Sequence, residues 1–194
     1  ALQSVDRGVA RIMSTLRRHG DLENTYVIFA SDNGFVTGHH NRGGKLIPFD
    51  RVLRIPMIIR GPGVPQGKRL TTTITNVDLP VSIATVAGAH PTRAVDGVPV
   101  FDRLSGPPAY RPVPIAGWRV GNGVRPPLYR GIRYRNFTYF ISGRKVEFYD
   151  RSTDPGELRN RINDPKFARQ VALMKRLYRD YATCSGDSCP KTWS

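Results

Sequence analysis

The feature that most constrains the fold is residues 25–34, where a run of β-branched and aromatic residues ends abruptly in Ser-Asp-Asn-Gly. Such a run predicts a fully buried strand that delivers the Asp32 carboxylate and the Asn33 amide oxygen to its carboxyl end. Ligands of open α/β sheets bind at that edge. Oxygen ligands of this kind suit a hard cation such as Ca²⁺ or Mg²⁺. Asp-Asn and Asn-Gly are also common turn formers, so these residues on their own favour a simple turn.

A positively charged side chain could reach the same edge. Lys45 follows Gly43-Gly44, and its ammonium group could return to the end of the strand. The chain as a whole carries 30 Lys and Arg against 15 Asp and Glu, a net charge of +15. This excess favours polyanionic or sulfated partners. Because the Arg residues are spread along the chain rather than packed into blocks, nucleic acid is an unlikely partner.

The two cysteines of the chain, Cys184 and Cys189, enclose a short polar loop near its end. No His or further Cys lies nearby to complete a zinc site, so we predict a disulfide and with it an exported location. Two free thiols in a reducing compartment are the alternative. No signal peptide is visible at the start, no initiator Met is present, and no apolar run approaches the length of a membrane span. We therefore expect a processed product or a fragment.

Hydrophobic periodicity predicts an α/β fold with a mostly parallel sheet in the first part of the chain. The predicted elements there are a helix over 3–19, strands over 25–30 and 54–60, a β-prone stretch at 70–75 and a helix over 78–88. Residues 105–127 are rich in Pro and Gly, with one strand candidate at 113–117. Short alternating runs at 129–134, 137–141 and 145–149, then a helix beginning at Asp164, predict a small antiparallel sheet with a C-terminal helix. The predicted domains are 1–104, a connection over 105–127, and 128–194.

Several ordered motifs together resemble the sulfatase family, of the alkaline-phosphatase-like superfamily. They are Tyr26-Val-Ile-Phe-Ala-Ser-Asp-Asn-Gly-Phe35, Gly38-His-His40, Gly44-Lys45, Arg54-Ile-Pro-Met-Ile-Ile-Arg-Gly-Pro-Gly63, Asn76-Val-Asp-Leu-Pro80, and Glu147-Phe-Tyr-Asp150 with Asp154-Pro155, Glu157-Leu158 and Asn160. The closing Cys-Ser-Gly-Asp-Ser-Cys is similar to the tail of bacterial members near the glucosamine-6-sulfatase group. The resemblance covers nearly the whole chain and implies the C-terminal portion of such an enzyme.

The resemblance implies roles for individual residues. Asp32 and Asn33 match two of the family's metal ligands, usually for Ca²⁺, with Mg²⁺ also possible. Lys45 matches the catalytic lysine that binds the sulfate group and neutralises its charge. His40 matches a histidine that lines the substrate pocket. Asp50, after Phe49, is interpreted as structural and is expected to tie its loop to a neighbouring Arg.

The chain also departs from the family pattern. The family's nucleophile is a formylglycine made within a Cys/Ser-x-Pro/Ala-x-Arg motif, and neither cysteine nor any serine of this chain lies in one. The family's N-terminal Asp pair and upstream sulfate-binding His are absent too. We therefore expect a sulfated small molecule or glycan as substrate, a missing N-terminal sulfatase segment as partner, and no sulfate ester hydrolysis by this chain alone.

Other interpretations stay open beside this one. A phosphatase or phosphonate hydrolase of the same superfamily shares the metal-bearing strand, and a polyanion-binding module without catalysis fits the net charge. In the C-terminal part, the aromatic residues Trp118, Tyr129, Tyr134 and Tyr139 are predicted to pack in the sheet. The neighbouring Arg130, Arg133 and Arg135 are predicted to form a solvated face.

Overall fold

The structure is a computed structural model that describes residues 2–119 and 126–190. Its helices are α1 (Leu2–His19), α2 (Asp50–Leu53), α3 (Asp78–Val86) and α4 (Ala168–Ala182). Its strands are β1 (Val27–Ala30), β2 (Val36–Thr37), β3 (Gly43–Gly44), β4 (Met57–Arg60), β5 (Val113–Gly117), β6 (Tyr129–Tyr134), β7 (Phe137–Ser142) and β8 (Lys145–Asp150). None of the helices in the described ranges is long and apolar enough to cross a membrane.

The first part of the chain holds a two-stranded sheet in which β1 pairs with β4. One face of this pair contributes Tyr26, Ile28 and Ile59 to a core built around Val100 and Leu104. Gly61, which follows β4, lies against Tyr26 so closely that a Cβ would be 2.5 Å from its ring. A side chain at position 61 would therefore disturb the packing of Tyr26 just before β1.

The α/β class, with a small antiparallel sheet and a C-terminal helix, is confirmed by the structure. Three details of the α/β part differ from expectation. The β1–β4 pair is antiparallel, with Ala30 opposite Met57, rather than parallel. β1 is also not fully buried, since Phe29 and Ala30 are exposed. Within the described residues no layer covers the outer face of this pair, and residues 70–75 form no strand.

The C-terminal sheet matches the prediction closely. Strands β5 to β8 form an antiparallel meander in sequence order, with register pairs such as Ile132 opposite Tyr139 and Ser142 opposite Lys145. A two-residue turn, whose Gly143 has φ +58°, joins β7 to β8. Helix α4 covers one face and buries Val171 and Met174 against the sheet. Asp164 begins this helical region by accepting a hydrogen bond from the Lys166 amide at 3.1 Å.

The opposite face of this sheet joins the two parts of the molecule. There Phe49 and Leu53 from the first part pack against Ile115, Phe140 and Tyr149. Strand β5, which lies in the predicted connection 105–127, forms one edge of the sheet. Nothing in the structure tests the division at 104 and 127, so the domain boundaries stay a prediction. The predicted packing is correct for Tyr129 and Tyr139 but wrong for Trp118, which is 53% exposed at the end of β5.

A buried ion pair ties the segment just before β5 to the first part of the chain. Arg111 donates to both carboxylate oxygens of buried Asp78 at 2.5 Å. That carboxylate also accepts the Thr75 amide at 2.8 Å and the Val98 amide at 3.0 Å, so it organises the start of α3.

At the far end of the chain, Cys184 and Cys189 are joined by a disulfide, as predicted. The loop that this disulfide closes docks through the Gly186 amide onto Asp96 at 2.5 Å.

Candidate functional site

The residues that follow β1 leave the sheet in a tight, internally bonded turn. The Asn33 amide donates to the Asp32 carboxylate at 2.8 Å, and the Ser31 hydroxyl donates to the Asn33 carbonyl at 2.9 Å. Gly34 then donates its amide to the Val52 carbonyl of α2 at 2.9 Å. A Cβ on Gly34 would lie 2.1 Å from the Arg51 carbonyl oxygen, so only glycine allows this approach. Residues 31–34 therefore form a turn, as one interpretation predicted, and this turn presents the oxygens that the other interpretation assigns to a metal.

Lys45 returns to this edge, as the sequence predicted. The short β2–β3 hairpin, with Val36 opposite Gly44, brings Lys45 back beside the turn. Its Nζ donates to Oδ1 of Asn33 at 2.8 Å. Asp32 and Lys45 are exposed and Asn33 is half-buried. A carboxylate, an amide oxygen and an ammonium group thus converge on one accessible edge.

These three residues open onto a cleft of about 700 Å³ between the two parts of the chain. The cleft is rich in cationic side chains: Lys45, Arg54, Arg111, Arg133, Arg135 and Arg151 line it, whereas Asp32 is its one lining acid among the described residues. Asp50 and Asp78 neutralise part of this charge from behind. A concave surface with this balance attracts anions.

The residues present fit a hard divalent cation in part. Asp32 and Asn33 supply oxygen donors of the type that Ca²⁺ and Mg²⁺ take, but Ca²⁺ is bound by about six to eight oxygens. In the ranges 2–119 and 126–190, no group of three or more His, Cys, Asp or Glu side chains is arranged to hold a metal. The edge therefore provides part of a cation site, and the metal-binding roles of Asp32 and Asn33 stay predictions.

His40 lies apart from the other predicted site residues. Its ring stacks on Phe49 at a centroid distance of 3.6 Å, and its Nε2 lies 3.0 Å from the Gly156 carbonyl oxygen. Burial, followed by the neighbouring His39, lowers the pKa of His40 below its ordinary value. The residue is not part of the cleft wall described above. Its predicted contact with substrate is untested, while its contacts to Phe49 and Gly156 are structural.

Asp50 ties its loop to arginines, as expected. Its Oδ1 accepts from Arg133 and, at 3.1 Å, from Arg151, and Arg54 lies 3.9 Å from Oδ2. Burial acts to raise the pKa of Asp50, but the guanidinium groups outweigh it and hold that pKa below its ordinary value. Burial, with the charge of Arg133, lowers the pKa of Arg151 to about 10.

Sequence reasoning missed three residues at this junction. Arg133 was predicted to be solvated, which is wrong because Asp50 draws it into the interface. Arg151 was assigned no role, and Glu157 was assigned none beyond its place in the family motif. Glu157 is 1% exposed and accepts the Asp50 amide at 2.6 Å. The one sequence signal for Glu157 was its position at the end of a turn-forming segment, Asp-Pro-Gly-Glu.

Comparison with known proteins supports the resemblance to sulfatases. The family model described as Sulfatase matches residues 1–89. An arylsulfatase from Volvox carteri is 31% identical over the whole chain, which spans 35% of that protein. The chain is therefore similar to the sulfatase family over its whole length. An extracellular sulfatase SULF-1 homolog from Drosophila melanogaster is 37% identical over 53% of this chain, corresponding to 9% of the fly protein.

Solved structures share the fold of this chain. A protein in complex with its substrate D-glucosamine-2-N,6-O-disulfate superposes with a TM-score of 0.78 at 23% identity, covering 98% of the chain and 41% of that protein. The phosphonate monoester hydrolase from Silicibacter pomeroyi gives 0.76 at 23% identity, over 95% of the chain and 40% of the hydrolase. At these identities the likeness shows the fold. Most of this chain is matched in these proteins, but it corresponds to only about a third to two fifths of their length.

Proposed function

We propose that this chain supplies one half of a sulfate ester hydrolase site: Asp32 and Asn33 as metal ligands and Lys45 as the sulfate-binding lysine. The observation that carries the proposal is the 2.8 Å hydrogen bond between Lys45 Nζ and Asn33 Oδ1 at the edge of the basic cleft. Sulfate ester cleavage develops negative charge on the sulfuryl and leaving oxygens, and cationic groups aimed at those oxygens stabilise the transition state.

Each side chain has a distinct part in this proposal. Lys45 binds a sulfuryl oxygen and is oriented by Asn33, which fixes its ammonium group at the edge. Asp32 and Asn33 hold a divalent cation, Ca²⁺ or Mg²⁺, jointly with ligands from outside this chain. When bound, that cation supplies further stabilisation of the negative charge. Asp32, whose Oδ1 accepts the Asn33 amide, keeps its other carboxylate oxygen for this purpose.

We further propose that this chain alone does not turn over sulfate esters, because its 194 residues contain no formylglycine motif. The test is a sulfatase assay of the chain with an aryl sulfate and saturating Ca²⁺. Turnover above that of a Lys45→Ala variant would refute the proposed division of the site. Activity that appears only when the missing segment of the enzyme is supplied in trans would support it.

Binding measurements test the half-site without needing catalysis. Titration with sodium sulfate is expected to show weak binding that Lys45→Ala weakens by about tenfold, the effect of losing one charge-assisted hydrogen bond. Lys68→Ala is the matched control, because Lys68 is exposed and is not part of the cleft wall. Equal losses in both variants would mean that the affinity reflects overall charge rather than the site.

The substrate that we propose is a sulfated sugar rather than a simple aryl sulfate. Support comes from the basic cleft and from a relative of the same fold that was solved with a disulfated glucosamine. Comparing glucosamine 6-sulfate with glucosamine as competitors in the titration tests this choice. An exported location is supported by the disulfide and by the extracellular relatives.

Phosphonate hydrolysis is the weaker alternative. The structural match to a phosphonate monoester hydrolase favours it, whereas the matching family model and the relatives named above favour sulfate. Tighter binding of phenyl phosphonate than of sulfate, with retention of Zn²⁺ over Ca²⁺, would reverse that order.

A further inference from the structure

The loop that carries Lys45 is held at both ends by two consecutive residues of the C-terminal part, Gly156 and Glu157. We define the lysine loop as residues 39–50. At its start, Nε2 of His40 and of His39 lie 3.0 and 3.3 Å from the Gly156 carbonyl oxygen, which accepts from whichever ring nitrogen carries a proton. At its end, the Asp50 amide donates to Oε2 of Glu157 at 2.6 Å. The stacking of His40 on Phe49 draws the two ends together.

Glu157 is built into the fold in a way that a solvent-facing residue is not. Its side chain is 1% exposed, and its second carboxylate oxygen accepts from the Thr138 hydroxyl at 2.7 Å. Its backbone lies in the left-handed region at φ +53°, a conformation that costs a residue with a Cβ on the order of 1 kcal/mol or more. A buried carboxylate at a strained position persists only where surrounding contacts compensate it.

The contact continues from Glu157 to the metal-binding edge. The Asp50 amide that Glu157 holds belongs to the first residue of α2. Two residues further on, the Val52 carbonyl accepts the Gly34 amide at 2.9 Å. Gly34 directly follows Asn33, whose Oδ1 in turn holds Lys45. One short helix therefore relays the position of Glu157 to Asn33 and Lys45.

From this arrangement we propose that Glu157 is a positioning residue, which together with the Gly156 carbonyl forms a clamp that sets the lysine loop and the Asn33 turn. The clamp touches neither metal nor substrate. It acts through α2 on Asn33 and through both ends of the loop on Lys45. Its effect on sulfate binding rests on the proposed function, whereas its effect on the order of the loop does not.

The clamp explains why the two parts of the chain act as one site. Among the described residues the C-terminal part contributes no acidic side chain to the cleft wall, yet Glu157 fixes the loop that carries the lysine. The Asp50 side chain reinforces the same junction through Arg133 and Arg151. Loss of Glu157 should therefore loosen the lysine loop without unfolding the C-terminal sheet, because Glu157 lies in the segment after β8.

The test compares Glu157→Ala with Met174→Ala, a core variant on the opposite face of the C-terminal sheet. Alanine adds no backbone cost at position 157 that glutamate does not already have, so the change reports on the carboxylate. Amide hydrogen exchange at Asp50 and Gly34 should be faster by about tenfold or more in Glu157→Ala than in Met174→Ala, compared at matched global stability. Equal exchange in both variants overturns the clamp.

Two more variants keep the result decisive. Glu157→Gln retains an acceptor for the Asp50 amide and should restore most of the protection. Thr138→Val removes only the hydroxyl that orients Glu157. If Glu157→Ala does not fold, Thr138→Val replaces it in the exchange measurement. Unchanged exchange in Thr138→Val would then overturn the clamp.

Sulfate titration of the same variants separates this inference from the proposed function. A loosened loop accompanied by the sulfate affinity of Lys45→Ala supports the positioning role. If the loop loosens but Lys45-dependent sulfate binding is unchanged, the positioning role is overturned. If wild-type protein binds no sulfate although Glu157→Ala loosens the loop, the clamp stands and the proposed sulfate site fails.

Discussion

At the scale of single residues, Gly34 has the tightest steric requirement at the candidate site. Its missing side chain lets the turn after β1 reach α2, where a Cβ would meet backbone atoms of Arg51 and Val52. Gly34→Ala should lower the free energy of unfolding by about 2 kcal/mol, because backbone atoms cannot move aside as a flexible side chain can. Urea denaturation measures this loss.

Gly43→Ala is the matched control for that substitution. It lies in the same hairpin region, and the nearest atom to its Cβ would be 4.0 Å away. A loss at Gly43 as large as that at Gly34 would contradict the steric explanation and point to a general demand for glycine in this region.

Asp50 is expected to make stability depend on acid pH. Its folded pKa is held below the ordinary value by the arginines around it, so the unfolded chain binds this proton more readily than the folded chain. The stabilisation is complete above the ordinary pKa, near pH 4, and is lost as pH falls through the folded pKa. Urea midpoints between pH 6 and pH 2.5 should therefore decrease toward acid.

Asp50→Asn tests that assignment. The variant should lose about 2 kcal/mol at pH 6, because Arg133 and Arg151 would keep their buried positions without a counter-charge. It should also show a shallower acid dependence than wild type. Asp102→Asn, at an exposed acid in a short helical turn, is the control. An acid dependence that is unchanged in Asp50→Asn would assign the effect to other carboxylates.

The sequence predicted the acidic partner in this network better than the basic one. Asp50 was expected to bind an arginine because family resemblance placed it after an aromatic residue. Arg133 was expected in solvent together with Arg130 and Arg135, and Arg130 is indeed exposed. The two residues are 83 positions apart, and no local pattern reports a contact over that distance. Glu157 was missed for the same reason.

At the scale of elements, local patterns sufficed where neighbours in sequence are neighbours in space. Strands β6 to β8 and helix α4 were predicted within a residue or a few, because each hairpin and each helical face is decided locally. The direction of β4 relative to β1 was not, since an apolar run has no direction. Residues 70–75 are β-prone, but the Thr73 amide donates to Ala109 rather than to a sheet.

The disulfide loop is a second element whose effect can be measured. Cys184 and Cys189 are only five positions apart, so the loop-entropy contribution is about 2 kcal/mol. The Cys184→Ser/Cys189→Ser variant should lose up to that amount and should expose the Gly186 amide, which donates to Asp96. Differential scanning calorimetry with hydrogen exchange measures both. A loss of all structure would mean that the C-terminal helix also depends on the disulfide.

At the scale of the whole molecule, the charge of +15 predicts binding to sulfated polymers beyond the site itself. Retention on heparin should fall steeply as salt rises, because counterions are released on binding. DNA of similar charge density is the comparison polymer. Preference for heparin would indicate that sulfate groups, not charge alone, are recognised. Equal retention on both polymers would favour the interpretation as a general polyanion-binding module.

The surface of the first part carries apolar groups that nothing in the described chain covers. In α1, Val5, Val9 and Ile12 lie at helical spacing and are all exposed. On the two-stranded sheet, Ile58 is 66% exposed and Phe29 is exposed beside it. The sheet has only these two strands among the described residues. Apolar side chains and free strand edges of this kind favour association with other surfaces.

We therefore expect the isolated chain to self-associate as its concentration rises. Sedimentation velocity should show the average mass increasing in the micromolar range, and Ile58→Lys should reduce that increase. Leu158→Lys is the control, because Leu158 is 70% exposed in the C-terminal part. A chain that stays monomeric, or one in which both substitutions act equally, would mean that the uncovered β1–β4 face is not the associating surface.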